Sequence, residues 1–85
     1  MKRYYYLKMM VCEGEKRVDS DKPLIEVFRT GEKYHVFYME NYFFTGTKKK
    51  ALEFMEQHKN DDVVDILRKN GLTVTFEQTL TEGED

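Results

Sequence analysis

LIEVFRTGEKYHVFYMENYFF, residues Leu24–Phe44, decides the fold. Two apolar, alternating runs, Leu24–Arg29 and Tyr34–Met39, flank a turn at Gly31, which predicts a β-hairpin. Everything about its faces depends on how many residues make the turn. A two-residue turn of Gly31 and Glu32 pairs Glu26 with Phe37 and puts both on one face. A three-residue loop of Thr30, Gly31 and Glu32 groups Ile25 and Val27 with His35, Phe37 and Met39, and leaves Glu26 outside with Val36 and Tyr38. A buried, unpaired carboxylate costs several kcal/mol, and a one-residue slip moves every side chain to the other face. The three-residue loop is therefore the expected register. Glu40-Asn41 either bulges the third strand or turns into a fourth at Tyr42–Phe44; the pattern fits both.

Outward from this hairpin the periodicity is plain. In residues 4–12, YYYLKMMVC, one row is apolar (Tyr5, Leu7, Met9, Val11) and the other mixed (Tyr4, Tyr6, Lys8, Met10), the mark of a strand with one buried face. The polar segment to Pro23 reads as loop, with room for a short return at Lys16–Asp19. Two helices follow. Thr47 is placed to cap the first, which runs to about His58 with Ala51, Phe54, Met55 and His58 on one face and Leu52 at its edge. Asn60 is placed to cap the second, Asp61 to Asn70, with Val63, Ile66 and Leu67 as its stripe, Val64 beside it, and Gly71 just past its end. Leu72–Leu80 alternates again: Leu72, Val74, Phe76 and Leu80 against Thr73, Thr75, Glu77 and Thr79. The order β-β-β(-β)-α-α-β predicts an α+β fold: a small antiparallel sheet of four to five strands with two short helices packed on one face. A single domain is expected over 1–80, with 81–85 as a frayed acidic tail.

Composition narrows the function classes. The chain has 85 residues, 40% hydrophobic and 35% charged, which is globular rather than disordered. Its apolar runs fall short of a membrane span, and no signal-peptide core follows Met1-Lys2-Arg3. One cysteine, Cys12, fits a reducing compartment, so a cytoplasmic setting without membrane contact is expected. The net charge of -2 argues against a bulk nucleic-acid binder. It hides a basic half, residues 1–50 with 11 Lys/Arg and 7 Asp/Glu, and an acidic one, residues 51–85 with 3 and 9. Cys12, His35 and His58 have no metal-ligand spacing. No P-loop, dinucleotide fingerprint or Ser-His-Asp context is present, and no catalytic residue, metal or cofactor is expected. A Cys12–His35 pair could activate a thiolate only if the fold brought the two together.

Two features point to surfaces. Lys48, Lys49 and Lys50 open the first helix, against the helix dipole. The second helix obeys the dipole at both ends, with Asp61 and Asp62 first and Arg68 and Lys69 last. Misplaced lysines suit a phosphate or an acidic partner; the plainer reading is that lysines are good helix formers on a solvated face, neutralised by Glu and Asp from the loops. The aromatics are the second feature: ten of twelve precede residue 45. In the expected register Tyr4, Tyr6, Tyr34, Tyr38 and, if the third strand runs on, Tyr42 share the face away from the helices with Leu24, Phe28 and Val36. Such a face is ordinary core if a loop or helix covers it, an interface if exposed, or a stacking platform for nucleotide bases. These features together suggest a small non-enzymatic protein-binding module, an adaptor or inhibitor of the kind phages and mobile elements use to block a host protein. Its expected contacts are Tyr4, Tyr6, Phe28, Tyr34, Tyr38, Tyr42 and Lys48–Lys50, and a homodimer through the same face is a variant. The alternative is a nucleic-acid-binding module using the basic half and the Lys48–Lys50 helix start.

Overall fold

A computed structural model of the chain describes residues 2–19 and 22–80, the side chains of 2–4 and 80 excepted. The tail expected at 81–85 lies outside the described residues. The elements are β1 (Lys2–Glu13), β2 (Lys16–Arg17), β3 (Ile25–Thr30), β4 (Lys33–Tyr38), β5 (Asn41–Gly46), α1 (Lys48–Lys59), α2 (Asp62–Lys69) and β6 (Thr73–Leu80). The fold is α+β, an antiparallel sheet with a helix bent into two pieces against one face. β1 is the central strand. It pairs with β6 along Tyr5–Cys12 on one edge, and with β3 over Lys2–Leu7 and then β2 at Cys12–Glu13 on the other. β4 and β5 extend the sheet beyond β3.

The hairpin register differs from the expected one. Thr30 stands opposite Lys33, Val27 opposite Val36 and Glu26 opposite Phe37, so Gly31 and Glu32 make a two-residue turn. Gly31 has φ 61°; its first-position glycine suits the hairpin turns whose twist matches the strands. The physical reason for the register lies in the whole row. It gathers Ile25, Val27, Tyr34 and Val36, all buried, on one uncharged face. Glu26 is not buried with Phe37, because theirs is the face the helices leave open. The cost of burying a carboxylate is avoided, by the opposite assignment of faces.

The core has two parts. Tyr5, Leu7, Ile25, Val27, Tyr34 and Val36 meet Ala51 and Met55 of α1. Val11 and Val74 meet Val64 of α2. Thr47 caps α1 as expected, its hydroxyl accepting from the Lys50 N–H at 3.2 Å. Asp61, not Asn60, is the N-cap residue of α2, and Asn60 ends α1. The expected stripe of α2 is also rotated: Val64 is buried and Leu67 half-buried, while Val63 and Ile66 are 51% and 56% exposed. The spacing admits Val64/Leu67 or Val63/Ile66 as the inner pair, and the bend from α1 selects the former.

Two local devices hold the sheet. Between β2 and β3 the edge of β1 lacks a strand, and Asp19 fills it: its Oδ1 accepts from the Val11 N–H at 2.9 Å. Arg17 holds the same carboxylate with two bonds, 2.9 and 3.1 Å. The Arg17 bond is the main reason the Asp19 carboxyl sits at about 2 rather than 3.8; partial burial opposes it and the Val11 N–H adds to it. The second device is the β4–β5 turn. Of the two readings at Glu40-Asn41, the chain turns: Tyr38 pairs with Asn41. Met39 and Glu40 take left-handed φ values of 50° and 72°, each costing on the order of 1 kcal/mol or more for a residue with a side chain. The Met39 N–H donates to Leu24 C=O at 2.8 Å, and Lys22 pairs with Glu40 at 3.5 Å, which helps to hold the strained turn.

Two outcomes follow from these devices. A folded-state pKa below the unfolded one stabilises above the unfolded value and is lost as pH falls through the folded one. Asp19→Asn should therefore lower stability by about 1–2 kcal/mol at pH 6, and its gap from the parent in urea unfolding should close between about pH 4 and 2. Replacing Met39-Glu40 by Asn-Gly, the pair such turns favour, should raise stability by about 1 kcal/mol and the melting temperature by roughly 4–8 °C.

Candidate functional site: the open face of the sheet

The register sends Tyr6, Lys8, Met10 and Cys12 of β1, Glu26 and Phe28 of β3, His35 and Phe37 of β4, and Tyr42 of β5 to the face opposite the helices. Thr73, Thr75, Glu77 and Thr79 continue it on β6. Three aromatic side chains form a row across β3, β4 and β5. Phe28 and Phe37 meet edge to face at 5.4 Å between centroids, and Phe37 and Tyr42 at 5.8 Å. Such pairs prefer this geometry because each ring's positive edge meets the other's negative face. Tyr42 is 60% exposed and Phe28 and Phe37 are half-buried.

Polar groups frame the row. The Tyr6 hydroxyl donates to Glu77 Oε1 at 2.6 Å across β1 and β6. Thr45 Oγ1 lies 2.9 Å from His35 Nδ1 and 3.1 Å from the Tyr42 hydroxyl. His35 Nε2 is buried without a partner. Lys8 stands opposite Glu77, and Glu26 opposite Tyr6 and Phe37. The face is thus aromatic at one side, polar at the other, and of mixed charge.

The expected contact residues divide. Tyr6, Phe28 and Tyr42 lie on the open face. Tyr34 and Tyr38 do not: the two-residue turn points them at the helices. Tyr34 is 8% exposed and stacks on Tyr5 at 6.3 Å. Tyr38 packs against Phe54 at 6.2 Å and the His58 ring at 4.7 Å. Leu24 and Val36 also pack with the core. The backbone of Tyr4 lies in β1 where the pairing with β3 shifts register; its side chain is outside the described residues. Lys48, Lys49 and Lys50 start α1, on the side away from the aromatic row, so the fold does not join them to it. They lie beside acids of their own helix: Lys48 and Lys49 border a shallow depression with Glu53 and Glu56, and Lys50 another with Glu53.

Phe37 and His35 belong to the open face, against the expected register; Met10 lies there with the mixed row of β1, as expected, but was not among the expected contacts. The signal was present: the Tyr34, Val36, Tyr38 row carries no charge, and Glu26 needs solvent. A bulge in β5, where the pairing shifts between Val36 and Phe37, further turns Phe43 towards Phe54, 5.0 Å away, although simple alternation would separate it from Phe44. Cys12 and His35 are not brought together. His35 is level with Phe28 and hence Arg3, so about 30 Å of β1 separates its level from Cys12 at ~3.3 Å per residue. Among the described residues His, Cys, Asp and Glu form no group of three or more that could hold a metal, and no helix is long and apolar enough to cross a membrane.

The chain matches no protein-family model, no curated protein and no solved structure. The site's own chemistry is therefore the guide to function.

The two tyrosine environments predict different stability costs. Tyr34→Ala should cost about 3 kcal/mol or more, as loss of a buried ring does. Tyr42→Ala should cost under about 1 kcal/mol. Urea unfolding of both variants measures the difference, and equal costs would mean that the open face is covered.

Proposed function

We propose that the protein is a small non-enzymatic binding module, an adaptor or inhibitor that occupies a partner protein's surface with its open sheet face. The Phe28–Phe37–Tyr42 row carries this reading. An aromatic strip with one hydroxyl, on the exposed Tyr42, offers contact area at small entropic cost, the chemistry enriched at protein interfaces. The rings meet edge to face in sequence across paired strands, which supports a row arranged before binding. Preorganisation of this kind lowers the cost of association. Lys8, Glu26 and Glu77 at its margin supply both signs of charge, which suits a protein rim and not a phosphate backbone. The lysines at the start of α1 are left out of this interface, since they lie across the sheet beside Glu53 and Glu56.

The reading is tested by two measurements on the intact chain. Proteins retained from a lysate by the native chain should be lost with Phe28→Ser/Tyr42→Ser and kept with Lys48, Lys49 and Lys50 changed to Glu; a hot-spot ring is worth about 2 kcal/mol or more, some 30-fold in affinity. Anisotropy titrations against labelled single-stranded DNA, duplex DNA and RNA should show no binding at physiological salt. Salt-sensitive nucleic-acid binding abolished by the triple lysine change would overturn the proposal, because phosphate contacts give steep salt dependence.

A further inference from the structure

The two edges of the sheet are unlike. β5 is interrupted by its bulge, a common way to blunt an edge. β6 is not: Thr73–Leu80 pairs with β1 residue for residue without a shift and contains no proline or lysine. Which of its backbone groups face outward follows from β1. Val11 turns its N–H and C=O away from β6, to Asp19 and to the Val18 N–H. Residues opposite one another in an antiparallel pair are either bonded together or both turned away. Val74, opposite Val11, is therefore turned outward, and so by alternation are Phe76 and Gln78. Only Arg68 reaches this edge among the described residues, donating from Nη2 to Val74 C=O at 2.8 Å.

We infer that β6 is a self-association edge, pairing antiparallel with β6 of a second copy about a two-fold axis at Phe76. This interface uses the backbone edge of β6 and not the Phe28–Phe37–Tyr42 row, and it does not depend on the function proposed for that row. Two observations support a second copy in this register. The pairing sets Phe76 against Phe76, Val74 against Gln78, Thr75 against Glu77 and Thr73 against Thr79, so helix-side residues meet helix-side residues. Shifting it by one pair to set Glu77 against Glu77 would place like charges directly opposite, which is destabilising. The second observation is Gln78, whose Oε1 is buried with no hydrogen-bond partner. In this register Gln78 faces Val74 of the second copy, where the Arg68 guanidinium has donors to spare, and turning the Gln78 amide out of its covered position would give Oε1 the partner it lacks in the single chain. The Gln78 N–H of one copy then shares the Val74 carbonyl with Arg68, using its second lone pair.

The helices leave room. Val64 packs on both Val11 and Val74, so α2 lies over the gap between β1 and β6. Strands are ~4.8 Å apart, which sets the two α2 helices about 10 Å apart across the sheet and staggered along it by the separation of Val74 from Gln78, so they do not clash. Both open faces then fall on the same side of one continuous sheet.

Sedimentation equilibrium of the intact chain should show a monomer–dimer equilibrium. Thr75→Glu, which opposes Glu77 of the second copy twice, should weaken it at least tenfold; Thr75→Lys should strengthen it. Thr75 is exposed and its own chain's fold does not need its side chain. Hydrogen exchange of the unaltered protein gives an independent reading: protection of the Val74, Phe76 and Gln78 amides should rise with concentration, while the Thr75 and Glu77 amides are protected throughout. A monomer at all concentrations up to about a millimolar, or a dimer indifferent to both changes at Thr75, overturns the inference. Loss of the dimer in Phe28→Ser/Tyr42→Ser with none in Thr75→Glu would place the contact on the open face instead.

Discussion

Val27 opposite Val36 is the pairing on which the rest of the molecule depends. It is set by a turn of two residues, and it divides the aromatic content of the chain between two faces. Tyr34, Val36 and Tyr38 go to the helices; Phe28, Phe37 and Tyr42 go to the open side. A slip of one residue would bring Phe37 and His35 under α1 and send two tyrosines out. The uncharged row is the one that can be buried without desolvating a carboxylate, so the register and the position of the helices are one choice.

Around that pairing, local imperfections are met by specific side chains. β1 is longer than any single neighbour on its β3 side, and its exposed backbone at Val11 is completed by Asp19, itself fixed by Arg17. The β4–β5 turn is made without glycine and is tied to Leu24 and Lys22. The β5 bulge spends one residue of pairing to bring both Phe43 and Phe44 to Phe54, where they close one end of the core. Each of these is a contact between segments far apart in sequence or a departure from strict alternation.

The lysines at the start of α1 take their meaning from the same geometry. Neither Asp nor Glu lies in the first turn of α1, whereas α2 begins with Asp62 and Asp65 and ends with Arg68 and Lys69. The dipole of α1 is opposed at its start and favoured at its end by His58 and Lys59. Its stability comes from Ala51 and Met55, both fully buried, and its cap at Thr47. Packing of an amphipathic face outweighs end effects of a few tenths to 1 kcal/mol. Glu53 and Glu56 of the same helix, rather than acids of the loops, lie beside the lysines.

The amino-acid sequence by itself determined the fold class, the element order and most of the ends: period-two alternation in β1 and β6, Thr47 as a cap, Gly31 as a turn, and the core row of β1. These are local properties, fixed by backbone sterics and by which side of a short segment can be dehydrated. It did not determine the faces of the central hairpin, the inner side of α2, or the bulge at Phe43. Leu24–Phe44 has apolar residues on both rows, so alternation alone could not say which row is core, and Glu26 excluded burial of its face without saying which turn would achieve that. Val63/Ile66 and Val64/Leu67 are equally apolar pairs, and only the bend after Asn60 chooses between them. The candidate site was half legible for the same reason. Tyr6, Phe28 and Tyr42 reach the open face in either register, while Tyr34, Tyr38 and Phe37 change sides with one residue of turn length, a quantity decided by the summed burial of three strands and a helix.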